Sequence, residues 1–162
     1  DGKEQTIQLL EPGDPFGLCT AFATDAFPAS AMTLEESRVV LIPGPLMEAV
    51  AMQEPRLLLN IIQILSRRLK DSMAMIEALA LKDIPERIAS FLWHALPRTK
   101  DRPEQLELAI TQRELAKILG ATPEALSRAL RKMTDEGILR TSGRIIRILD
   151  GKALADLAEG KG

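Results

Sequence analysis

The chain has 162 residues, with 21 basic and 23 acidic side chains, 46% apolar residues, one histidine and one cysteine. That balance is ordinary for a soluble globular protein of one medium or two small domains, and it argues against wholesale disorder. A single cysteine excludes an internal disulfide framework, and with one histidine it excludes a Cys/His zinc site. Uncharged runs reach only ten residues, as in 57–66, half of the roughly 20 that a membrane helix needs. These features point to a reducing, cytoplasmic compartment and no membrane partner. The chain begins at Asp1 without a signal-like stretch, so a preceding segment is expected.

The net charge of −2 is an average over unlike halves. Residues 1–81 hold six basic and eleven acidic side chains, a net of −5, whereas residues 82–162 hold fifteen and twelve, a net of +3. Within 111–149 stand Arg113, Lys117, Arg128, Arg131, Lys132, Arg140, Arg144 and Arg147, against four acidic residues. Such asymmetry suggests a nucleic-acid or membrane partner for the basic half, and a solvated helical face is the plainer alternative.

In chain order, residues 1–50 read as short strands and turns, about three strands in all. Asp1-Gly2 is a hairpin-type pair, Thr6-Ile7-Gln8-Leu9 alternates as a half-buried strand, and Glu11-Pro-Gly-Asp14 is a turn. Arg38-Val-Val-Leu-Ile42 reads as a β-branched strand stopped by Pro43-Gly-Pro45. Three strands are too few to close a barrel or sandwich. From 56 to 81, Leu58, Ile62, Leu65, Leu69, Ser72, Ile76 and Leu79 recur at spacings of 4, 3, 4, 3, 4 and 3. That heptad seam predicts a long helix, either packed on its own domain or paired in a parallel homodimer. Ser72, its polar member, sets register, touches a ligand at the interface, or simply fills a tight spot. Asp83, Pro85 and Glu86 then open a new helix, with Ile88, Phe91, Leu92 and Leu96 inward, so the joint at Leu81–Pro85 is a candidate hinge. Pro97 to Pro103 reads as a polar loop, and Leu106, Leu108 and Ile110 alternate as a strand.

Thr111-Gln-Arg-Glu114 is a capping box. Its helix turns Leu115, Ala116, Ile118 and Leu119 inward and ends at Gly120, where a tight turn needs a positive φ. Thr122 caps the next helix, 123–136, and Pro123 takes its first position. Ala125, Leu126, Ala129, Leu130 and Met133 form its core stripe; Glu124, Ser127, Arg128, Arg131 and Lys132 face outward. Gly137 ends it, and strands Ile138–Arg140 and Arg144–Ile148 follow, joined by Thr141-Ser142-Gly143. Helix, glycine turn, helix and hairpin make a winged helix-turn-helix. The second helix offers the major groove Arg128, which can grip guanine bidentately, Glu124, which can accept from cytosine, and Ser127. Thr111, Arg113, Lys132, Arg140 and Arg144 are placed for phosphates. The other use of a winged helix is as a protein-interaction module that binds no DNA.

These motifs resemble the CRP/FNR family of bacterial transcription regulators along nearly the whole chain. The resemblance runs through Glu11-Pro-Gly-Asp-Pro-Phe-Gly17, Ser66-Arg-Arg-Leu69, Ile110-Thr-Gln-Arg-Glu-Leu-Ala116 and Thr122-Pro-Glu-Ala-Leu-Ser-Arg128, the last two being the most specific. It implies an α+β architecture: a partial double-stranded β-helix (cupin-like) sensor at 1–55, a dimerisation helix at 56–81, and a winged helix-turn-helix at 82–162. It also implies that the front of the sensor precedes Asp1, which would account for the scarcity of strands.

The cyclic-AMP receptors of the family carry a Gly-Glu pair and, further on, an Arg-Ser pair that hold the ribose and phosphate. Here Gly17 is followed by Leu18, and Pro28 and Ala29 stand at the second pair. The resemblance therefore implies no cyclic-nucleotide response, the alternative being a responsive regulator with a divergent pocket. Oxygen sensors of the family ligate a four-iron cluster with one cysteine in the strand that reads Ser37-Arg-Val-Val-Leu41 here; Cys19 lies elsewhere. Phe27-Pro-Ala-Ser-Ala31 and Glu124-Ala-Leu-Ser-Arg128 look most like the nitric-oxide and nitrogen-oxide regulators, several of which use haem. No haem ligand is visible in this chain, and His94, in the DNA-binding half, reads as a capping or exposed histidine. A haem would be a cofactor of the full-length protein.

Glu124, Ser127 and Arg128 resemble the FNR-type reader of TTGA half-sites, and Pro123 replaces the extra arginine of the cyclic-AMP receptors. A site close to TTGA-N6-TCAA is expected, with double-stranded DNA, a second copy of the chain and RNA polymerase as partners. An enzyme is disfavoured, since no nucleophile–base pair, metal cluster or phosphate loop is visible.

Overall fold

The computed structural model describes residues 4–18, 20, 26–96 and 105–160. Asp1-Gly2, Cys19 and the loop from Pro97 to Pro103 lie outside these. The chain divides into two units, one of residues 9–71 and one of residues 1–8 with 72–162.

In the first unit the turn at Glu11–Asp14 forms as the sequence dictates. Pro12 and Gly13, the latter at φ 95°, take its two centres, the arrangement a type II turn needs. The Asp14 amide donates to the Glu11 carbonyl at 3.0 Å, and the Glu11 amide donates to Asp14 Oδ2 at 2.9 Å. Pro43-Gly-Pro45, expected only to stop a strand, opens helix α1 (Gly44–Gln53). A proline in the first turn gives up an amide that has no helical partner there. After Glu54 the long helix α2 (Pro55–Leu81) begins, and the boundary between the units falls within it. Leu18, Ala51 and Ile61 are buried.

The expected strands at Thr6–Leu9 and Arg38–Ile42 do not form, and no strand is present among the described residues before α1. A strand needs a neighbour for its alternate N–H and C=O groups. Val39, Val40, Leu41 and Ile42 have none and are all exposed. The Thr6 amide donates instead to the Lys117 carbonyl at 3.2 Å. The seam of α2 is solvent-facing within one chain: Leu58, Ile62, Leu65, Leu69, Ser72 and Ile76 are exposed, and only Leu79 is half-buried.

The second unit holds the larger core. Helix α3 (Ile84–Ala95) starts on the expected capping box, the Glu86 amide donating to Asp83 Oδ1 at 2.9 Å and the Asp83 amide to Glu86 Oε2 at 2.8 Å. Strand β1 (Gln105–Glu107) is followed by helices α4 (Gln112–Ile118) and α5 (Pro123–Asp135), then by β2 (Leu139–Ser142) and β3 (Ile145–Ile148). The sheet is antiparallel in the order β1-β3-β2. In the core Ile88, Leu92, Leu115, Leu126, Met133 and Leu154 from the helices, with Leu139 of β2, are fully buried. The wing differs from expectation by a residue or two: Ser142 pairs with Ile145, so the turn is Gly143-Arg144 rather than Thr141-Ser142-Gly143. Gly143 has φ 61° and Arg144 does not have a positive φ, which excludes a type I′ turn and suits type II′, with glycine first.

A further helix, α6 (Gly151–Ala158), was not expected. Asp150 Oδ1 accepts the amides of Lys152 and Ala153, both at 2.9 Å, which starts it. Leu154 and Ala158 seal it against the core.

Candidate nucleic-acid interface

The helix-turn-helix is set by its two caps and one glycine. Thr111 Oγ accepts the Glu114 amide at 3.3 Å, and Glu114 Oε2 accepts the Thr111 amide at 3.1 Å. At the other end of α4, Gly120 takes φ 62°. Its amide donates to Lys117, and that of Ala121 donates to Ala116 at 2.9 Å. This is a Schellman ending, which needs a left-handed residue at that position. Thr122 Oγ then accepts the Ala125 amide at 3.2 Å and starts α5, with Pro123 in its first turn. Leu126, Ala129, Leu130 and Met133 are buried, and that burial fixes which face of α5 is left to solvent.

On that outer face Glu124, Ser127, Arg128, Arg131 and Lys132 are all exposed, as are Thr111, Arg113, Thr122, Pro123, Arg140 and Arg144. Glu124, Ser127, Arg128 and Arg131 follow one another at helical spacing and share a side. Both threonine oxygens are engaged as caps; the Thr111 hydroxyl keeps its proton to give to a phosphate, whereas the Thr122 hydroxyl gives its proton to Glu124. The Glu124 carboxyl is held below its ordinary pKa, first by its own backbone amide, then by the Thr122 hydroxyl, with a smaller pull from Arg128. Glu124 is thus an ionised acceptor turned toward the start of its own helix. Lys132 faces Glu136 at 3.8 Å, both largely exposed. Such a pair is worth little, so Lys132 is readily available to another anion.

The wing adds Arg144 at its tip. Arg140 on β2 stands directly opposite Arg147 on β3, both exposed. Like charges at such a pair weaken a sheet, so this pairing favours an outside anion over folding. Arg147 shares this sheet face with Arg140, although no single role was expected of it from the sequence; its Nη2 donates to Gln105 Oε1 at 3.2 Å. Gln112 was likewise overlooked. It borders a groove with Ser127, Arg131, Thr134 and Thr141, and a narrower cleft with Gly143 and Arg144. The start of α4, the middle of α5 and the wing therefore meet around it. A glutamine at the first position of a capped helix is the signal that could have found it.

Residues 86–157 match the family described as Crp-like helix-turn-helix domain, and residues 1–54 match the cyclic nucleotide-binding domain. The chain belongs to the CRP/FNR family. Transcriptional activator protein anr of Pseudomonas aeruginosa is 31% identical over 99% of this chain and 66% of its own length. The fumarate and nitrate reduction regulatory protein of Vibrio cholerae is 32% identical over 97% of this chain and 64% of its own. Among solved structures, a CooA mutant from Carboxydothermus hydrogenoformans is similar at TM-score 0.62 and 28% identity, covering 69% of this chain and 53% of that one. FixK2 from Bradyrhizobium japonicum is similar at TM-score 0.61 and 25% identity, covering 72% and 59%. The chain thus spans about two thirds of the curated CRP/FNR relatives it matches, and just over half of the solved ones. The curated relatives carry FNR and Anr names, and these do not bear out the nitrogen-oxide subgroup.

A haem does not fit the histidine present. His94 is exposed in α3, with Nδ1 2.7 Å from the Ser90 carbonyl oxygen, the local partner its place near a helix end suggested. Among the described residues no group of three or more His, Cys, Asp or Glu could hold a metal ion, and no helix is long and apolar enough to cross a membrane.

Proposed function

We propose that this chain is the DNA-reading and dimerising part of a homodimeric, effector-gated transcription regulator. The outer face of α5 carries this reading. Two hydrogen-bonding heads for base edges, Glu124 and Arg128, stand with Ser127 between them, flanked by Arg113, Arg131, Lys132, Arg140, Arg144 and Arg147. A second copy would pair along Leu58, Ile62, Leu65, Leu69, Ser72, Ile76 and Leu79, supported by the exposure of all of that seam but the half-buried Leu79 in a single chain. Two copies then present two reading helices to a two-fold site close to TTGA-N6-TCAA. RNA polymerase would be the partner through which the bound dimer acts, in the cytoplasm.

The test is a gel-shift titration of the full-length protein on that duplex over a range of salt. With four basic side chains on phosphates in each protomer, log K against log salt should fall with a slope of about −7. A flat salt dependence would instead favour the protein-interaction reading. A binding selection that returned a non-palindromic sequence would overturn the half-site.

For the effector, we infer a redox or nitrogen-oxide signal rather than a cyclic nucleotide. Leu18 is buried, and Pro28 and Ala29 are exposed and uncharged, so the positions that hold ribose and phosphate in the cyclic-AMP receptors offer neither carboxylate nor cation. The names of the relatives, a fumarate and nitrate reduction regulatory protein and an anaerobic regulatory protein among them, point toward anaerobic redox control. Any haem would take its axial ligand from a residue other than His94. An absorption spectrum of the full-length protein purified anaerobically, with and without added haem, tests this. Micromolar binding of cyclic AMP or cyclic GMP in a calorimeter would overturn the exclusion.

A further inference from the structure

Arg87, half-buried in the first turns of α3, donates from all three of its nitrogens to backbone carbonyls of three different segments. Nε reaches Lys82 at 3.0 Å, Nη2 reaches Leu79 at 3.1 Å, and Nη1 reaches Leu119 at 3.1 Å. Leu79 lies in the last turns of α2, Lys82 in the joint, and Leu119 at the C-cap of α4. Helix ends leave such carbonyls without helical donors and carry the negative end of the helix dipole. One planar cation therefore closes two helix ends at once, and its fixed fork suits that role better than a single ammonium. Above it the side chain of Leu79 lies against Gly120, the turn of the helix-turn-helix. Lys82 ties the same joint from the other side, donating to Ser90 Oγ and to the Ala158 carbonyl at the end of α6, both at 2.7 Å.

We propose that Arg87 is a positioning residue for DNA reading, latching the end of α2 to the turn between α4 and α5 so that these parts move as one body. The joint at Leu81–Pro85, where the sequence suggests a hinge, is bridged on both sides. An effector signal arriving along α2 would then carry the reading helix with it, and bending would fall N-terminal to Leu79. The inference rests on the DNA-regulator reading for its purpose but not for its geometry.

The test uses the full-length dimer with Arg87→Gln and Arg87→Lys, read by backbone amide exchange and by affinity for the TTGA-N6-TCAA duplex and an unrelated duplex. Both variants should speed exchange at 79–87 and at 119–121 together, by about tenfold or more. Both should weaken the specific duplex about tenfold, because a loosened reader must be ordered on binding. The unrelated duplex should bind the Lys variant as it binds the wild type. Lysine should not rescue, since one ammonium cannot meet three separated carbonyls. Faster exchange confined to residues around 87, or full rescue by lysine, would overturn the latch. Protection of the β2–β3 amides checks the fold. Should it be lost, Leu79→Ala loosens the same contact from α2, and the proposal then requires faster exchange at 119–121. Failure of the wild type to bind the duplex would count against the DNA reading and leave the exchange result to decide the latch.

Discussion

Leu79 occupies the space that a side chain on Gly120 would need: an ideal Cβ there would lie 2.6 Å from Leu79 Cδ2 and 3.6 Å from Arg87 Nη1. Gly120 also holds φ 62°, where a Cβ costs about 1–2 kcal/mol. Gly120→Ala should therefore destabilise the winged helix by more than that backbone cost alone. Adding Leu79→Ala removes the overlap and leaves the strained φ. In urea unfolding the double variant should be less destabilised than the sum of the singles, whereas strict additivity would mean the two residues do not touch.

Arg128 and Lys132 are four residues apart on α5, yet their substitutions should have different signatures. Arg128→Ala should cost about 1–3 kcal/mol at the specific site and relax selection at one base pair. Lys132→Ala should weaken all sequences alike and reduce the salt slope by about one for each phosphate that the lysine neutralises. Its pairing with Glu136 is exposed and long, so little folding stability should go with it. Competition titrations against a panel of single-base variants separate the two, and a uniform loss for Arg128→Ala would remove it from base reading.

What the sequence disclosed about this molecule was local. The Thr111–Glu114 and Asp83–Glu86 boxes, the glycine turn at Gly120 and the Thr122-Pro123 start are each made by residues no more than five positions apart, so their chemistry is readable in a line of text. The outward set on α5 follows, because burying Leu126, Ala129, Leu130 and Met133 leaves it no other side. Helix α6 carries its own signal, a capping Asp150 before Ala153, Leu154, Leu157 and Ala158, and is as readable as the others. What could not be read is distant in sequence. Residues 38–42 include three β-branched side chains, Val39, Val40 and Ile42, and do not alternate with polar ones; whether they become a strand depends on a neighbour, not on their own propensity. The Arg87 contact with Leu119 spans 32 positions and that of Lys82 with Ala158 spans 76, with no periodicity to announce either.

Glu124 gives the outer face of α5 a defined response to acid. Its carboxyl is depressed by its own amide, by the Thr122 hydroxyl and, less, by Arg128. A carboxyl with a lower pKa in the folded than in the unfolded chain contributes stability above the unfolded value, and loses it as pH falls through the folded one. Replacing Thr122 with alanine removes the second of these causes, so the Glu124 pKa should rise toward that of an ordinary glutamate. Carbon-detected NMR titration of the labelled carboxyl reads this directly. The same change removes the cap of α5, at about 1 kcal/mol in unfolding. A Glu124 titration unmoved by Thr122→Ala would show that the hydroxyl does not hold the carboxylate.

Asp150 should be worth more to the molecule than its exposed position suggests. Its Oδ1 accepts two amides at the start of α6, and its own amide donates to the Ile138 carbonyl at 3.1 Å. Asp150→Ala should cost about 0.5–2 kcal/mol, the usual loss for an N-cap. Because Leu154 is fully buried and α6 packs on α3, fraying from the cap reaches the core rather than stopping at the surface. At the far end of α6 the Ala158 carbonyl receives Lys82, so a loosened helix also frees the lysine at the joint. Amide exchange in Asp150→Ala should therefore quicken in α6 first and then around Lys82–Asp83, with β2–β3 still protected. If α6 frayed while the amides at 82–83 kept wild-type exchange, the tie between the C-terminal helix and the joint would be broken as an idea.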